Sequence, residues 1–390
     1  MTTALTALSR AAVHRIACAV VASELRRWRT AGAVPADRDT WPEAEPIGED
    51  GLGLDSIEQL VALGALAETF GLEDSDLGRE PPVRVGDWID WILRGHTAAD
   101  GRMTVRTSGS TGRPKPCDHA IADLLDEAAF LATQIPGRRR VVALVPAHHL
   151  YGIIWTALLP AALGVEVVAR TIGTPLDLAA GDLVVAVPDQ WRALLRLTRG
   201  FPADIVGVSS GGALDDRLAA DLLASGLARL LDIYGSSETG GIALRDLPAT
   251  AYTLLPRWHL LPEDSDWQLG DGKGGRHALP DHIERIGDRG LRPTGRRDGA
   301  VQVGGHNVWP GRVAIMLRTL DGVADAAVRL GGDGRLKAFV VGDDAADPDL
   351  LSAQIDQAIA DRLAGPERPK SIRFGPALPR DALGKLADWD

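Results

Sequence analysis

A stretch from position 107 to position 115 combines the side chains that bind phosphate. It reads Thr-Ser-Gly-Ser-Thr-Gly-Arg-Pro-Lys, with four hydroxyl groups, two glycines and a lysine. The glycines let backbone N–H groups turn toward an anion, and Lys115 adds a positive charge. An apolar run at 103–105 precedes the stretch and a helical pattern at 119–133 follows it, so we predict a binding loop between a strand and a helix rather than a plain linker. The predicted phosphate-binding residues are Thr107, Ser108, Gly109, Ser110, Thr111, Gly112 and Lys115.

The spacing of this loop differs from that of the P-loop. The P-loop reads Gly-x-x-x-x-Gly-Lys and continues with Ser or Thr, whose hydroxyl group binds Mg²⁺. Here Lys115 lies between two prolines, and no hydroxyl residue follows it directly. The loop therefore indicates a different nucleotide chemistry.

The composition is that of a globular protein of two or three domains, with 390 residues, 45% hydrophobic and 24% charged. The formal charge of -11 makes a nucleic-acid partner improbable, because that function needs clustered positive charge. Two cysteines, Cys18 and Cys117, indicate no disulfide framework and favour a reducing compartment. No apolar run approaches the length of a membrane span, so we expect a cytoplasmic protein without a membrane partner.

Residues 1–95 have a helical pattern and are predicted to form a separate domain. Ser56 is followed by Gln59 at the spacing of a capping box, which makes Ser56 a candidate helix N-cap. Leu-Gly-Leu-Asp-Ser-Ile at 52–57 and Val-Gly-Asp-Trp-Ile-Asp-Trp-Ile at 85–92 resemble an acyl carrier protein. That resemblance implies that a phosphopantetheinyl transferase attaches 4′-phosphopantetheine to Ser56. The alternative is a carrier-like domain kept only for docking or stability.

Short apolar runs alternate with helical segments from residue 103 onward, which predicts a mostly parallel sheet covered on both faces. The predicted strands are residues 141–145, 165–168, 183–187, 205–208 and 230–233. Three of them are followed by polar, glycine-bearing loops, at 146–152, 209–214 and 234–241. Ligands of such sheets bind at the carboxyl ends of the strands, so these loops are the predicted binding edge.

Together with the 107–115 loop, these segments resemble the adenylate-forming superfamily of acyl- and aryl-CoA ligases, adenylation domains and luciferases. The resemblance continues through Arg-Ile-Gly-Asp-Arg at 285–289, Thr-Gly-Arg-Arg-Asp-Gly at 294–299, Val-Gly-Gly-His at 303–306 and Leu-Gly-Lys-Leu at 383–386. The motifs keep the family's order from about residue 100 to the end. A carrier-like region replaces the family's long N-terminal subdomain, and the interval between Glu238 and Asp288 is short.

The resemblance implies an α/β fold, a truncated adenylate-forming enzyme with a mostly parallel sheet, flanking helices and a small α+β C-terminal lid. A small all-α carrier-like helical domain precedes it. The implied domains are a carrier-like domain at 1–95, an adenylation core at 96–298 and a mobile lid at 299–390.

Residue roles follow from the resemblance, position by position. The loop at 107–115 binds the β- and γ-phosphates of ATP, and Glu238 is the Mg²⁺ ligand. Gly211, Gly212 and Ala213 let the backbone close on adenine, and Tyr234 stacks on it. Asp288 accepts hydrogen bonds from the ribose hydroxyls, with Arg296 in support.

The remaining roles concern the acid and the lid. His149 lies beside the substrate carboxylate and gates its pocket. Lys385 reaches both that carboxylate and the α-phosphate. Asp298 is the hinge of the lid, and Gly305 lines the thiol tunnel after the lid has swung.

The predicted function is ATP-dependent activation of a small carboxylic acid as acyl-AMP, with transfer to a phosphopantetheine thiol on an acyl carrier protein, in cis or in trans. A compact aromatic acid of the hydroxybenzoate type is favoured. One alternative is an acyl- or aryl-CoA ligase that uses free coenzyme A. Another is a non-catalytic carrier or scaffold protein, which the joint presence of Lys115, Glu238, Asp288 and Lys385 argues against.

Overall fold

A computed structural model describes residues 6–29, 40–73, 77, 81–96, 101–107, 115–264, 266–304, 306–343, 347–380 and 386–389. Seven predicted site residues lie outside these ranges: Ser108, Gly109, Ser110, Thr111, Gly112, Gly305 and Lys385. Among the described helices, none is both long enough and apolar enough to cross a membrane.

The helices form a layer at the N-terminus, a second set around the sheet and a third set in the C-terminal region. They are α1 (Arg10–Trp28), α2 (Ser56–Phe70), α3 (Val85–Gly95), α4 (Ile121–Gln134), α5 (Leu150–Ile153), a π-helical segment (Ile154–Leu158), α6 (Leu159–Leu163), α7 (Pro188–Leu197), α8 (Asp216–Ala224), α9 (Pro310–Arg318), α10 (Pro348–Arg362) and a 3₁₀ turn (Gly365–Glu367).

The strands belong to one large sheet and four small ones. They are β1 (Arg102–Thr107), β2 (Lys115–Ala120), β3 (Arg140–Ala143), β4 (Glu166–Ala169), β5 (Asp182–Ala186), β6 (Val206–Ser209), β7 (Arg229–Ser236), β8 (Gly240–Asp246), β9 (Tyr252–Leu254), β10 (Trp258–Glu263), β11 (Asp266–Asp271), β12 (Arg276–Ala278), β13 (Asp281–Ile286), β14 (Gly290–Arg296), β15 (Val301–Val303), β16 (His306–Val308), β17 (Val323–Leu330), β18 (Leu336–Gly342) and β19 (Ser371–Phe374).

The large sheet has nine strands in the order β13-β14-β9-β8-β7-β6-β5-β3-β4. The five predicted strands are confirmed as β3 to β7, which pair in parallel. Their apolar runs are buried, as expected for strands covered on both faces. The other half of the sheet is antiparallel. Short connections join β7 to β8, β8 to β9 and β13 to β14, whereas β9 and β14 are neighbours although β10 to β13 lie between them in the chain. The sheet is therefore mixed rather than mostly parallel.

The N-terminal helices do not have a hydrophobic core of their own. Buried side chains of α1, α2 and α3 belong to one continuous cluster with those of α4, the π-helical segment and β7. The Arg15 Nε of α1 donates a hydrogen bond of 3.1 Å to the buried hydroxyl of Thr156. Arg106 of β1 forms an ion pair with Glu68 of α2. The predicted boundary near residue 95 therefore does not divide two cores.

The N-cap of α2 is Asp55, one residue before the predicted cap. Its carboxylate accepts hydrogen bonds from the backbone N–H groups of Ile57 and Glu58, at 2.9 and 2.8 Å. The Glu58 carboxylate in turn accepts from the N–H of Asp55 at 3.2 Å, which completes a capping box. Ser56 is thus the first residue of the helix and is exposed, so its predicted capping role is wrong.

The 107–115 segment joins two antiparallel strands rather than a strand and a helix. Thr107 at the end of β1 pairs with Lys115 at the start of β2, and the helix begins only at Ile121. Because prolines lie on both sides of Lys115, this strand was not predicted from the sequence. Proline is nevertheless compatible with the first residues of a strand in a two-stranded sheet. The phosphate-binding loop is therefore predicted at a hairpin, without a helix N-terminus beside it.

The C-terminal region packs around separate hydrophobic clusters of its own. It contains the β15–β16 hairpin, helices α9 and α10, and a three-stranded sheet of β17, β18 and β19. Helices α9 and α10 and strands β17 and β18 make this region a mixed α+β unit. This region matches the small α+β lid that the sequence implied.

Candidate active site

A cavity of about 1440 Å³ opens at the carboxyl ends of the parallel strands, between the sheet and the β15–β16 hairpin. The loops after β3, β5, β6 and β7 supply its walls, as the crevice rule for open α/β sheets predicts. Most of the described predicted site residues line it. They are Lys115, His149, Gly211, Gly212, Ala213, Tyr234, Glu238, Arg296 and Asp298.

The backbone of Thr107 pairs with that of the cavity residue Lys115. Two other predicted residues that the structure describes do not line the cavity. Ser56 is exposed at the start of α2. Asp288 lies in the turn between β13 and β14 with a fully exposed side chain, and its described polar partner is Arg285 at 3.4 Å. The side chain of Asp288 is therefore outside the described cavity lining.

A different carboxylate, Asp281 at the start of β13, occupies the cavity wall. The Tyr234 hydroxyl donates a hydrogen bond of 2.9 Å to it, and Arg296 faces both residues. Burial raises the pKa of the Asp281 carboxyl group, while the Tyr234 hydrogen bond and the Arg296 charge oppose that shift. Sequence reasoning missed Asp281 because the Arg-Ile-Gly-Asp motif drew attention to position 288. Its signal was the Leu-Pro-Asp turn directly before β13.

Arg296 and Asp298 mark the exit from the sheet toward the lid. The guanidinium group donates two hydrogen bonds to the Asp298 carboxylate, at 3.1 and 2.8 Å. The same carboxylate accepts from the backbone N–H of Ala300 at 3.0 Å. Asp298 therefore fixes the first turn of the connection between β14 and β15.

His149 precedes α5 and lines the cavity, with part of its side chain exposed. Its ring centroid lies 4.1 Å from that of His148. Desolvation by the surrounding protein atoms lowers the pKa of His149, and the neighbouring His306 and Arg27 lower it further. For His148 burial lowers the pKa to about 3. Both shifts favour the neutral form of the ring at physiological pH.

Hydrogen bonds tie the cavity loops to one another. The Tyr151 hydroxyl, at the start of α5, lies 3.0 and 3.1 Å from the carbonyl oxygens of Ala186 and Val208, at the ends of β5 and β6. The Ser210 hydroxyl donates to the carbonyl of Ile233 on β7 at 2.9 Å. Gly211 follows with a φ of +78°, a conformation that favours glycine. The backbone after β6 is thus held open toward the cavity.

The turn that carries Glu238 is fixed from two sides. The buried His119 ring, at the end of β2, lies 2.8 Å from the carbonyl oxygen of Ser237. The Ser236 hydroxyl accepts hydrogen bonds from the N–H groups of Glu238 and Thr239, at 3.2 and 3.3 Å. The β2 strand that begins with Lys115 is therefore bound directly to the turn that presents Glu238.

Comparison with known proteins identifies the family. Residues 102–275 match the AMP-binding enzyme family. The chain is 40% identical over 402 aligned positions to a 4-coumarate--CoA ligase of Rhodobacter capsulatus, covering 97% of this chain and 100% of that protein. It is 39% identical over 361 positions to a 4-coumarate--CoA ligase of Halorhodospira halophila, covering 89% and 90%. The chain belongs to the AMP-forming acid–thiol ligases. It activates a carboxylic acid as an acyl adenylate.

Solved structures show the same fold at low identity. A variant of o-succinylbenzoate CoA synthetase from Bacillus subtilis, bound with a product analogue, aligns with a TM-score of 0.64 and 18% identity over 97% of this chain and 91% of that chain. The amide bond synthetase McbA from Marinactinospora thermotolerans gives a TM-score of 0.58 and 21% identity over 79% and 70%. The ligase therefore has the adenylate-forming fold.

The lid of the ligase meets the core through the β15–β16 hairpin. Gln302, Gly304 and His306 line the cavity, and the Asp189 carboxylate lies close to Gly304. The described residues next to position 385 are elsewhere, since Leu386 packs against the lid sheet and its carbonyl accepts a hydrogen bond from Arg329. Among the described residues of this region, those of the hairpin face the cavity.

Within the part of the chain that is described, the ligase has no cluster of three or more His, Cys, Asp or Glu side chains able to hold a metal ion. Glu238 offers one exposed carboxylate at the cavity. A hard cation such as Mg²⁺ combines carboxylate with phosphate and water ligands, so one protein carboxylate fits a metal that arrives with a nucleotide.

Proposed function

We propose that this ligase converts 4-coumarate, or an aromatic acid closely similar to it, into its coenzyme A thioester with ATP. The similarity to the Rhodobacter capsulatus ligase carries the proposal, because it extends over 97% of this chain and all of that protein. The alignment therefore includes the N-terminal helices as well as the cavity. The proposed substrate is thus an arylpropenoic acid with a ring hydroxyl, in place of the hydroxybenzoate-type acid that the sequence favoured.

The first half-reaction joins the acid to the nucleotide. The substrate carboxylate attacks the α-phosphorus of ATP, the bond to the β-phosphate breaks, and pyrophosphate leaves. Lys115 and the 108–114 loop hold the β- and γ-phosphates, and Lys385 contacts the α-phosphate and the carboxylate. Glu238 would hold Mg²⁺ together with the phosphates, and the bound ion would offset the negative charge that the two anions bring together. His149 borders the carboxylate as a neutral hydrogen-bonding group.

The nucleoside lies along Tyr234 and the loop after β6. Tyr234 stacks on adenine, with Gly211, Gly212 and Ala213 along its edge. The Asp281 carboxylate, in place of that of Asp288, accepts hydrogen bonds from the ribose hydroxyls. What supports Asp281 is its place in the cavity wall beside Arg296 and Tyr234, while the Asp288 side chain is fully exposed.

In the second half-reaction the thiol attacks the acyl carbon and AMP leaves. Free coenzyme A is the acceptor, because the relatives that match nearly the whole chain are named as coenzyme A ligases. A carrier protein loaded at Ser56 is the less favoured acceptor. Ser56 is exposed, but α1, α2 and α3 share the core of the ligase and form no independent carrier domain. Asp298 is the hinge and Gly305 borders the thiol path.

The proposed function is tested by supplying ATP, Mg²⁺ and a panel of cinnamates, benzoates and fatty acids to the purified protein. We expect pyrophosphate release with 4-coumarate, and coumaroyl-CoA and AMP once coenzyme A is added. Formation of ADP and phosphate would exclude an adenylate. Turnover restricted to fatty acids would exclude the aromatic substrate, and turnover only with a phosphopantetheinylated carrier would exclude coenzyme A.

A further inference from the structure

The carboxylate of Glu127, on α4, is among the side chains that line the cavity. Helix α4 packs against the π-helical segment, and α5 contacts β8. From α5 and the π-helical segment, the apolar residues Leu150, Ile154 and Trp155 also line the cavity. Protein atoms surround Glu127 closely, although the cavity leaves part of its surface accessible. The nucleotide-binding roles described above do not use this residue.

The chain leaves space for this carboxylate at the start of β8. The backbone N–H of Gly241 donates to both carboxylate oxygens, at 3.1 and 3.2 Å. A methyl group at Gly240 would lie 2.9 Å from the carboxylate, and one at Gly241 would overlap it. The Trp258 indole N–H donates a hydrogen bond of 2.7 Å to the carbonyl of the same residue, Gly241. Glu127 is therefore held in a fixed orientation rather than left to move in open space.

Among the described residues no cation pairs with Glu127. The nearest guanidinium, that of Arg257, forms an ion pair with Asp123 at 3.1 Å and lies 4.5 Å from the centroid of the Trp258 ring. Lys273 also pairs with Asp123, at 2.7 Å. One N–H donor satisfies only part of the hydrogen-bonding capacity of a carboxylate. Glu127, which lines the cavity, thus keeps acceptor capacity beyond the bond from Gly241.

Such a group is costly for the folded protein. Burial raises the pKa of Glu127 to about 7, opposed by the Gly241 hydrogen bond and the Arg257 charge. A desolvated carboxylate in a ligand cavity, without an ionic partner, is typical of a binding position rather than of a packing position.

The charge of Glu127 decides which part of a substrate it can meet. The carboxylate of the acid would be repelled by a second carboxylate in a cavity of low dielectric constant. That end must therefore point toward Lys115 and the phosphates. The part of the acid next to Glu127 must be neutral or cationic and must donate a hydrogen bond.

We propose that Glu127 determines the substrate class, by accepting a hydrogen bond from a ring hydroxyl of the aromatic acid. The proposal rests on the proposed aryl-CoA ligase function and adds a selection rule to it. An acid with an apolar end leaves the Glu127 carboxylate desolvated and donates no hydrogen bond to it, so the site disfavours such acids. Sites that hydrogen-bond a substrate hydroxyl reject the analogue without it strongly, by as much as roughly 10⁴-fold, and an open cavity reduces that factor.

The experiment compares three acids that differ only at the ring position para to the side chain: 4-coumarate, cinnamate and 4-methoxycinnamate. With ATP, Mg²⁺ and coenzyme A, the wild-type protein should show kcat/KM for 4-coumarate at least ~10-fold above the other two. 4-Methoxycinnamate keeps the para oxygen but lacks its proton. It therefore distinguishes the donation of a hydrogen bond from the mere presence of an oxygen atom. Equal kcat/KM for all three acids would overturn the proposal and leave the ligase function intact.

Two variants of α4 make the comparison specific. Glu127→Gln keeps the size of the side chain and an acceptor for the Gly241 N–H, but it removes the charge. We expect its kcat/KM for 4-coumarate to fall at least ~10-fold while that for cinnamate changes less than ~3-fold. Asp126, one residue away, carries an exposed carboxylate. Asp126→Asn is therefore the matched control and should keep the wild-type ratio of kcat/KM between 4-coumarate and cinnamate. An equal loss for all three acids in Glu127→Gln would assign a structural role and overturn the proposal.

A measurement on the wild-type protein covers the case in which the variant does not fold. A phenol that donates to a carboxylate absorbs at longer wavelength, so bound 4-coumarate should show a red-shifted near-ultraviolet band. Bound 4-methoxycinnamate should show no such shift. A shift of the same size for both acids, or for neither, would overturn the role of Glu127. Failure of all three acids to bind or react would overturn the proposed function on which it rests.

Discussion

The Tyr234 hydroxyl donates a hydrogen bond of 2.9 Å to the carboxylate of Asp281, which lies 47 positions further along the chain. This bond joins the end of the parallel half of the sheet to the edge strand of its antiparallel half. It brings Tyr234, the residue expected to stack on adenine, and the buried carboxylate of Asp281 into one wall of the cavity.

Asp281 and Asp288 give the first test. We expect Asp281→Ala to lower kcat/KM for ATP by roughly 10- to 100-fold, since hydrogen bonds to a charged group contribute about 1.5–3 kcal/mol. Asp288→Ala should change it less than ~2-fold, because an exposed turn residue has no part in binding. Steady-state pyrophosphate release at varied ATP measures both. A loss confined to the Asp288 variant would restore the ribose role expected from the motif.

Glu127 predicts a pH dependence of stability. Its pKa rises from 4.5 in the unfolded chain to about 7 in the folded protein. Below pH 4.5 the group is protonated in both states, and stability falls as the pH rises through 7, because the folded protein disfavours the charge. Glu127→Gln should therefore be about 1–3 kcal/mol more stable than wild type at pH 8, with the difference vanishing near pH 4.5.

Urea unfolding between pH 4.5 and pH 8.5 measures this difference, and Asp126→Asn serves as the control because its side chain is exposed. A constant difference across the pH range would show that the effect comes from packing and not from ionisation.

The two half-reactions should respond separately to changes in the lid. Lys385→Ala should greatly slow adenylate formation and leave thioester formation from a preformed acyl adenylate largely intact. Gly305→Leu should do the reverse, because a large side chain in the hairpin that faces the cavity would block the thiol. Single-turnover assays of each step decide this. Equal losses in both steps for both variants would argue against a lid that swings.

Substitutions at Asp55 and Ser56 distinguish a helix-capping role from a role as a site of covalent modification. Asp55→Ala should cost about 1 kcal/mol of stability, because two backbone N–H groups lose their acceptor. Ser56→Ala should change neither stability nor coenzyme A-dependent activity. Thermal unfolding and thioester assays measure both effects. A mass increase of wild-type protein after incubation with a phosphopantetheinyl transferase and coenzyme A, absent in Ser56→Ala, would revive the carrier hypothesis.

The sequence alone determined the parallel half of the sheet and the edge at which the site forms. Strands β3 to β7 are apolar runs buried on both faces, and such runs appear directly in a sequence. His149, Tyr234 and Glu238 lie at or shortly after the ends of these runs, so local order was sufficient to bring them to one cavity. The antiparallel strands beyond β8 were not predicted, because their alternating, partly exposed residues give a weaker pattern.

Tertiary structure alone decided between Asp281 and Asp288. The two aspartates lie at opposite ends of one strand and its turn, and only the fold buries one while it exposes the other. The sequence held a weak signal for Glu127, which occupies the same helical face as Leu124 and Leu131. Its environment depends on Gly241, more than 100 positions away, and on an Arg257 charge already paired with Asp123. Distant backbone and the competition between charges set such an environment, and neither can be read from local sequence.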